Sequence, residues 1–175
     1  NAILNSASNL LVFDGTYSQT ISGSGQWTTA PALVNGAFNG MTINNAAGVI
    51  LNSSFALQTT LNLTSGNITG PGTLTLGIGS PTTLTAIVTN GTIDPSLAMA
   101  YNLNLVTYNL TYNNSTSAYT TSGELPSLAA IPPFAGTMTL ANNQGVTLGN
   151  DGTIFNVTIN SLAGNILHLN GKILR

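Results

Sequence analysis

The chain has 175 residues with two basic and four acidic side chains, a net charge of −2 at pH 7 and no cysteine. Two cations cannot neutralise a phosphate backbone, which argues against nucleic-acid binding, and the lack of thiols excludes disulfide frameworks, thiolate metal sites and cysteine nucleophiles. Hydrophobic residues still make up 42%, enough to build a core rather than a disordered polar tract.

In chain order, apolar and polar residues alternate over Met41–Asn44, Leu61–Thr64, Leu74–Leu76, Leu103–Leu105, Met138–Leu140 and Val157–Asn160. Alternation sends every second side chain to one face, which predicts short half-buried strands. Thr and Val support this, because β-branching suits a pleated surface. Between the runs lie turn residues: Asn-Gly pairs at Asn35, Asn39, Asn90 and Asn170, then Ser65-Gly66-Asn67, Gly70-Pro71-Gly72 and Asn150-Asp151-Gly152. They supply the positive φ that tight corners need. The best helix candidate, Pro95–Tyr101, is about two turns long, and Pro126–Phe134, with three prolines, reads as an irregular loop. No apolar run approaches the ~20 residues of a membrane-crossing helix. Neither an initiator Met nor a signal-peptide pattern is present, and both ends read as cut from something longer.

The chain repeats itself. Met41-Thr-Ile-Asn-Asn-Ala-Ala-Gly-Val-Ile-Leu51 aligns with Met138-Thr-Leu-Ala-Asn-Asn-Gln-Gly-Val-Thr-Leu148 at an offset of 97, and Leu61-Asn-Leu-Thr-Ser aligns with Val157-Thr-Ile-Asn-Ser at 96. Gly66-Asn67-Ile68 matches Gly164-Asn165-Ile166 at 98, and Phe13-Asp-Gly-Thr matches Tyr112-Asn-Asn-Ser at 99. The chain therefore reads as two continuous β-repeat units, residues 1–84 and 85–175. A finer spacing sits inside them: alternating strands start at Met41, Leu61, Thr83 and Leu103, at intervals of 20, 22 and 20. Repeats of this size predict an all-β fold, a β-solenoid (β-helix) whose coils bury their inner faces on one another. About eight coils of roughly 22 residues, stacked at ~4.8 Å, give a rod about 40 Å long. Low charge suits such a stack, since like charges repel in register, while Asn, Thr, Leu and Val form ladders. A tandem β-sandwich is the alternative. It is disfavoured because a sandwich core carries a Trp or several aromatics, and Trp27 has no equivalent in the second unit.

Several stretches resemble a known family. Leu11-Val-Phe-Asp-Gly-Thr-Tyr-Ser-Gln-Thr-Ile-Ser-Gly, the Met41 motif continued through Asn52-Ser53, Leu61-Asn-Leu-Thr-Ser-Gly-Asn-Ile, Leu110-Thr-Tyr-Asn-Asn-Ser, Thr121-Ser-Gly-Glu-Leu-Pro126 and Gly145-Val-Thr-Leu148 are similar to repeats in very large Bacteroidetes cell-surface adhesins. The resemblance covers about residues 8–172. It implies export by the type IX secretion system, an extracellular, cell-surface location, and a role in adhesion or in the filaments used for gliding motility. It brings no catalytic residues. The inserts Gln26–Asn39 and Leu128–Gly136 are longer than compact repeats of that kind.

Candidate sites are few. Acid–base chemistry would have to come from Asp14, Asp94, Glu124, Asp151 and His168, which are far apart in sequence. Asp14 and Asp151 sit in Asp-Gly pairs and read as turn residues rather than calcium ligands, which need six to eight oxygens. Asp94 and Glu124 read as loop-starting residues; a glycosidase pair would have to meet within a few ångströms. His168, between Leu167 and Leu169, lacks a motif for a triad. The aromatics Trp27, Tyr101, Tyr108, Tyr112 and Tyr119 could form a sugar-stacking strip but fit core packing better, and Thr73/Thr75 with Thr137/Thr139 fit an ice-binding ladder locally. Eight glycosylation sequons, at Asn52, Asn62, Asn67, Asn90, Asn109, Asn113, Asn114 and Asn156, are mostly the product of composition. The expectation is a structural segment of an extracellular filament or giant adhesin: no catalysis, no catalytic, metal or cofactor site, no cofactor and no membrane span. Its partners would be copies of itself or adjoining repeats of a long chain, and surface polysaccharide. A pilus-like subunit completed by a neighbour's donated strand is the alternative, followed by a sugar- or ice-binding module.

Overall fold

The computed structural model describes residues 10–23, 37–78, 83–103, 106–114, 116–127, 135–160 and 165–175. The described residues are all-β and contain no helix. The strands are β1 (Leu10–Phe13), β2 (Gln19–Ile21), β3 (Ala37–Asn44), β4 (Val49–Leu51), β5 (Phe55–Thr69), β6 (Thr73–Leu76) and β7 (Thr83–Ile93). There follow β8 (Ala98–Tyr101), β9 (Thr107–Tyr112), β10 (Tyr119–Thr120), β11 (Thr137–Leu140), β12 (Val146–Thr147), β13 (Asn156–Ile159) and β14 (Leu167–His168). The 11-stranded sheet has the path β1-β3-β5-β7-β9-β11-β13, and β10-β12-β14 form a second sheet. Every described pairing is parallel, whereas the sandwich alternative requires antiparallel ladders.

The period-2 pattern sorts the seven strands of the path into aligned columns. Leu11, Met41, Leu61, Ala86, Leu110, Met138 and Val157 are successive neighbours in one inward column. Phe13, Ile43, Leu63, Val88, Tyr112, Leu140 and Ile159 form the next. From Met41 to Met138 and from Ile43 to Leu140 every member is no more than 1% exposed. Between them, Thr42, Asn62, Ile87, Thr111, Thr139 and Thr158 face outward, and Asn62 Nδ2 donates to Thr42 Oγ1 at 3.1 Å along that column.

These columns explain the internal repeat. Met41 pairs with Leu61, Leu61 with Ala86, Ala86 with Leu110 and Leu110 with Met138, so the offset of 97 is a translation by four strands. The offset of 96 from Leu61 to Val157 and that of 99 from Phe13 to Tyr112 are likewise four strands each. The steps between paired strands are not of one length. The shortest step along the column is Met138 to Val157, between β11 and β13, and the longest is Leu11 to Met41, between β1 and β3. The two longest steps, β1–β3 and β9–β11, contain the two inserts recognised in the sequence, whose residues 26–36 and 128–134 lie outside the described residues. The midpoint at 84/85 falls inside β7, which pairs continuously with β5 and β9.

Corners follow from local chemistry. Asn45 is fully buried; its Oδ1 accepts from Ala47 N at 2.9 Å, and its Nδ2 donates to Tyr17 O at 2.8 Å and Gln19 Oε1 at 3.0 Å. Four strands on, buried Asn142 repeats this: Oδ1 accepts from Gln144 N at 2.8 Å and Nδ2 donates to Ser117 O at 3.1 Å. An Asn here closes its own turn and ties it to the turn one strand-step earlier in the chain. Elsewhere the local signals were overridden. Asn39-Gly40 and Asn90-Gly91 lie within β3 and β7 rather than in turns, the former at a register irregularity. Pro95–Tyr101 is no helix: residues 95–97 turn and the rest is β8. Leu103 lies outside a strand, and β9 starts at Thr107.

Candidate functional site

The site best defined by chemistry is an internal cluster around Glu124. The strand β9 alternates so that Tyr108 and Tyr112 point inward, both 0% exposed. The turn Ser122–Leu125 packs over them. Tyr108 Oη donates to Glu124 O at 2.6 Å, Tyr112 Oη donates to Glu124 Oε1 at 2.9 Å, and Tyr101 Oη, from β8, donates to Gly123 O. Ser122 N donates to Glu124 Oε1 at 2.9 Å. Tyr112 and Tyr119 pack with ring centroids 5.2 Å apart. The Glu124 side chain is itself 0% exposed, so its place in a loop, expected from the sequence, comes with an inward rather than a solvent-facing carboxyl. Three tyrosine donors around one turn make that orientation favourable.

Glu124 Oε2 and Tyr119 Oη are both buried without an ordinary hydrogen bond, yet lie close enough to influence one another. Burial pushes the Glu124 carboxyl above its ordinary range, against the Ser122 and tyrosine hydrogen bonds that pull it down. Burial first, and then the carboxylate, also raise the phenols of Tyr101, Tyr112 and Tyr119; for Tyr108 burial is followed by the Tyr101 phenol and then the carboxylate. Relative to the unfolded chain, folding therefore shifts Glu124 toward its protonated form. That preference contributes stability fully below the unfolded carboxyl value near 4.5, and the contribution is lost as pH rises through the raised folded value. Glu124→Gln keeps an acceptor for Ser122 and Tyr112 and gains an amide donor for Tyr119 Oη. The variant should be more stable than wild type by about 1–3 kcal/mol above neutral pH and nearly equal to it in acid. Melting curves across pH check this; a wild-type profile that keeps its slope in the variant refutes the assignment.

Beside this cluster a recess of about 420 Å³ is lined by Asp94, Leu97, Met99, Tyr101, Thr121 and Asn150, among others. Asp94, its carboxylate, accepts from Ser96 N at 2.8 Å and Ser96 Oγ at 2.6 Å, and these bonds lower its pKa; it organises the turn after β7. Asn150 Oδ1 is buried there without a partner.

The remaining candidates do not converge. Asp151 Oδ1 accepts from Ile173 N at 2.8 Å, tying two segments 22 residues apart. Asp14 is exposed in the bend after β1, and His168 is exposed on β14. Among the described residues no three His, Asp or Glu side chains come together as a metal-binding group, and no helix is long and apolar enough to cross a membrane. Tyr108, Tyr112 and Tyr119 are core residues and Tyr101 is half-buried, so they form no surface strip; Trp27 lies outside the described residues. Thr73 and Thr75 pair with Ala98 and Ala100, and Thr137 with Asn156, while Thr139 alone continues through Thr111 and Thr158, so neither Thr-x-Thr pair continues as a double ladder. The sequence reading missed the inward Glu124. Its one signal was a lone Glu following the four tyrosines Tyr101, Tyr108, Tyr112 and Tyr119.

No family model, no curated protein and no solved structure matches this chain.

Proposed function

We propose that the chain winds as a β-solenoid and serves as a structural segment of an extracellular filament or giant cell-surface adhesin, of the kind its sequence resembles. The observation that carries the reading is the coincidence of the sequence repeat, Met41 onto Met138, with four strands of one parallel ladder. A fold that grows by translation is extended by repeating sequence, which is how long, stiff surface fibres are made. The buried polar chemistry supports the same role. The Glu124–tyrosine cluster holds a turn to the core, Asn45 and Asn142 hold corners, and Asp151 holds the next coil. Each ionisable or amide group named here serves to join coils. Low charge removes repulsion between stacked side chains, and continuous ladders leave few segments open to proteases.

Antibodies against this segment should label intact, unpermeabilised cells of the source organism. Labelling should survive brief treatment of those cells with a non-specific protease, because the ladders leave few cleavable segments. Labelling only after permeabilisation overturns the surface role.

A further inference from the structure

The recess beside the Glu124 cluster lies in the interior of the chain, where lateral pairing is interrupted. Among the described strands β8 pairs only with β6 and β10 only with β12, so β8 and β10 do not pair with each other. The turn Ser122–Leu125 fills part of that gap. Tyr101 Oη, donating to Gly123 O, and Ser122 Oγ, donating to Ile93 O, pin it in place. What remains is the recess of about 420 Å³, within the ~300–1,000 Å³ of small-ligand sites. Its lining has two kinds of surface. Leu97, Met99 and Leu125 are apolar. The polar side is rich in acceptors. Asn150 Nδ2 donates to Asp151 O at 3.2 Å, which fixes the amide's orientation, and Asn150 Oδ1 is buried without a partner. A buried carbonyl left unpaired is costly, and a ligand that donates to it removes the cost. The Asp94 carboxylate, bonded by Ser96, retains further acceptor capacity. It is the one charged group of the lining; the chain's two cations, Lys172 and Arg175, are not part of it.

We infer that this recess binds a neutral sugar unit of a polysaccharide. A pyranose ring presents a C–H face, which lies against Leu97, Met99 and Leu125, and a rim of hydroxyls, which donate to Asn150 Oδ1 and to Asp94. An apolar platform with a few placed acceptors is the complement of such a ligand. Uronates, sulfated sugars and phosphates are disfavoured, because Asp94 repels them and no lining residue supplies a compensating cation. The site stands on the recess alone and adds a binding role to the filament reading, which surface labelling tests separately.

Met99 makes the site observable. The chain has three methionines, and the other two, Met41 and Met138, are fully buried in the inward column of the main sheet. The whole chain with isotope-labelled methionine methyls is titrated with maltohexaose, laminarihexaose, cellohexaose and mannohexaose. At least one should shift the Met99 methyl and leave Met138 in place, with a Kd on the order of 1 mM. Hexagalacturonate should leave Met99 unmoved. Asn150→Leu, which removes the unpaired acceptor at similar volume, should weaken the Kd about tenfold. No shift of Met99 with any of the four neutral probes at ~10 mM overturns the site. An equal response to hexagalacturonate overturns the charge argument, and a Kd unchanged in Asn150→Leu overturns the role of Asn150. Glucosamine oligomers binding more than about tenfold tighter than cellohexaose overturn the hydroxyl reading in favour of an amine at Asp94. The Met99 shift and the hexagalacturonate comparison need no variant, so they decide the matter even where Asn150→Leu fails to fold.

Discussion

A chain in which residues 41–137 occur twice in tandem should fold, keep its cross-section and lengthen by about 19 Å, four strand spacings of ~4.8 Å. The junction joins Thr137 to Met41 inside a strand, where the two sequences are interchangeable: Met41 and Met138 occupy one inward column. Each inserted strand would find the same neighbours above and below, so the inward side chains stay buried and the outward Thr and Asn stay outside. The stability of stacked repeats is close to a sum of unit and interface contributions, and four added units should leave melting temperature no lower than in the parent. Small-angle scattering reads both dimensions. Growth in all directions, or aggregation with loss of the β circular dichroism signal, would sink the translational account. Few closed single-core folds could accept an insert of this size without becoming two domains or unfolding.

Gly66→Val, within β5 where the sequence reading placed a turn, should be strongly damaging, costing about 3–5 kcal/mol and lowering the melting temperature by roughly 10 °C or more. Gly66 has φ +86°, and a Cβ there would lie 1.8 Å from the backbone oxygen of Asn45. A β-branched residue resists that φ on its own account. The overlap cannot be relieved by moving Asn45, because Asn45 O accepts from Gly48 N at 2.8 Å and its side chain is tied to Tyr17 and Gln19. Gly171 provides the contrast: φ is +71° but nothing lies within 4 Å of its added Cβ. Gly171→Ala should cost only about 1 kcal/mol, the conformational part alone. Calorimetry on both variants checks the argument, and equal losses would show that crowding at Gly66 contributes nothing.

Both predictions, like the behaviour of Glu124, trace back to what local sequence can and cannot carry. The alternation at Met41–Asn44, Leu61–Thr64, Met138–Leu140 and Val157–Asn160 specified strands and their buried faces, because side-chain direction in a strand depends only on parity. The Asn and Gly of Asn45–Gly48 and Asn142–Gly145 make corners that the sequence reading recorded only as part of the repeat, although an Asn–turn–Gly unit satisfies its own polar groups locally. The match of Met41–Leu51 to Met138–Leu148 specified that the two halves are equivalent. Coil length was beyond it. The step from Leu11 to Met41 is much longer than that from Met138 to Val157, because each corner discards its own amount of chain, which strand parity does not record. Asn39-Gly40 and Asn90-Gly91 carry turn chemistry yet sit in strands, since pairing on both sides outweighs a local preference. The orientation of Glu124 was decided only in three dimensions. Its carboxyl meets Tyr112, and its carbonyl meets Tyr108, both on β9 and distant along the chain. A buried carboxyl is tolerated only where such distant donors converge. Sequence alone thus determined the strands, their two faces and their repetition, which are local and periodic properties. Tertiary structure decided the register, the length of chain between paired strands and the burial of the one glutamate, because each is set by neighbours that local sequence does not record.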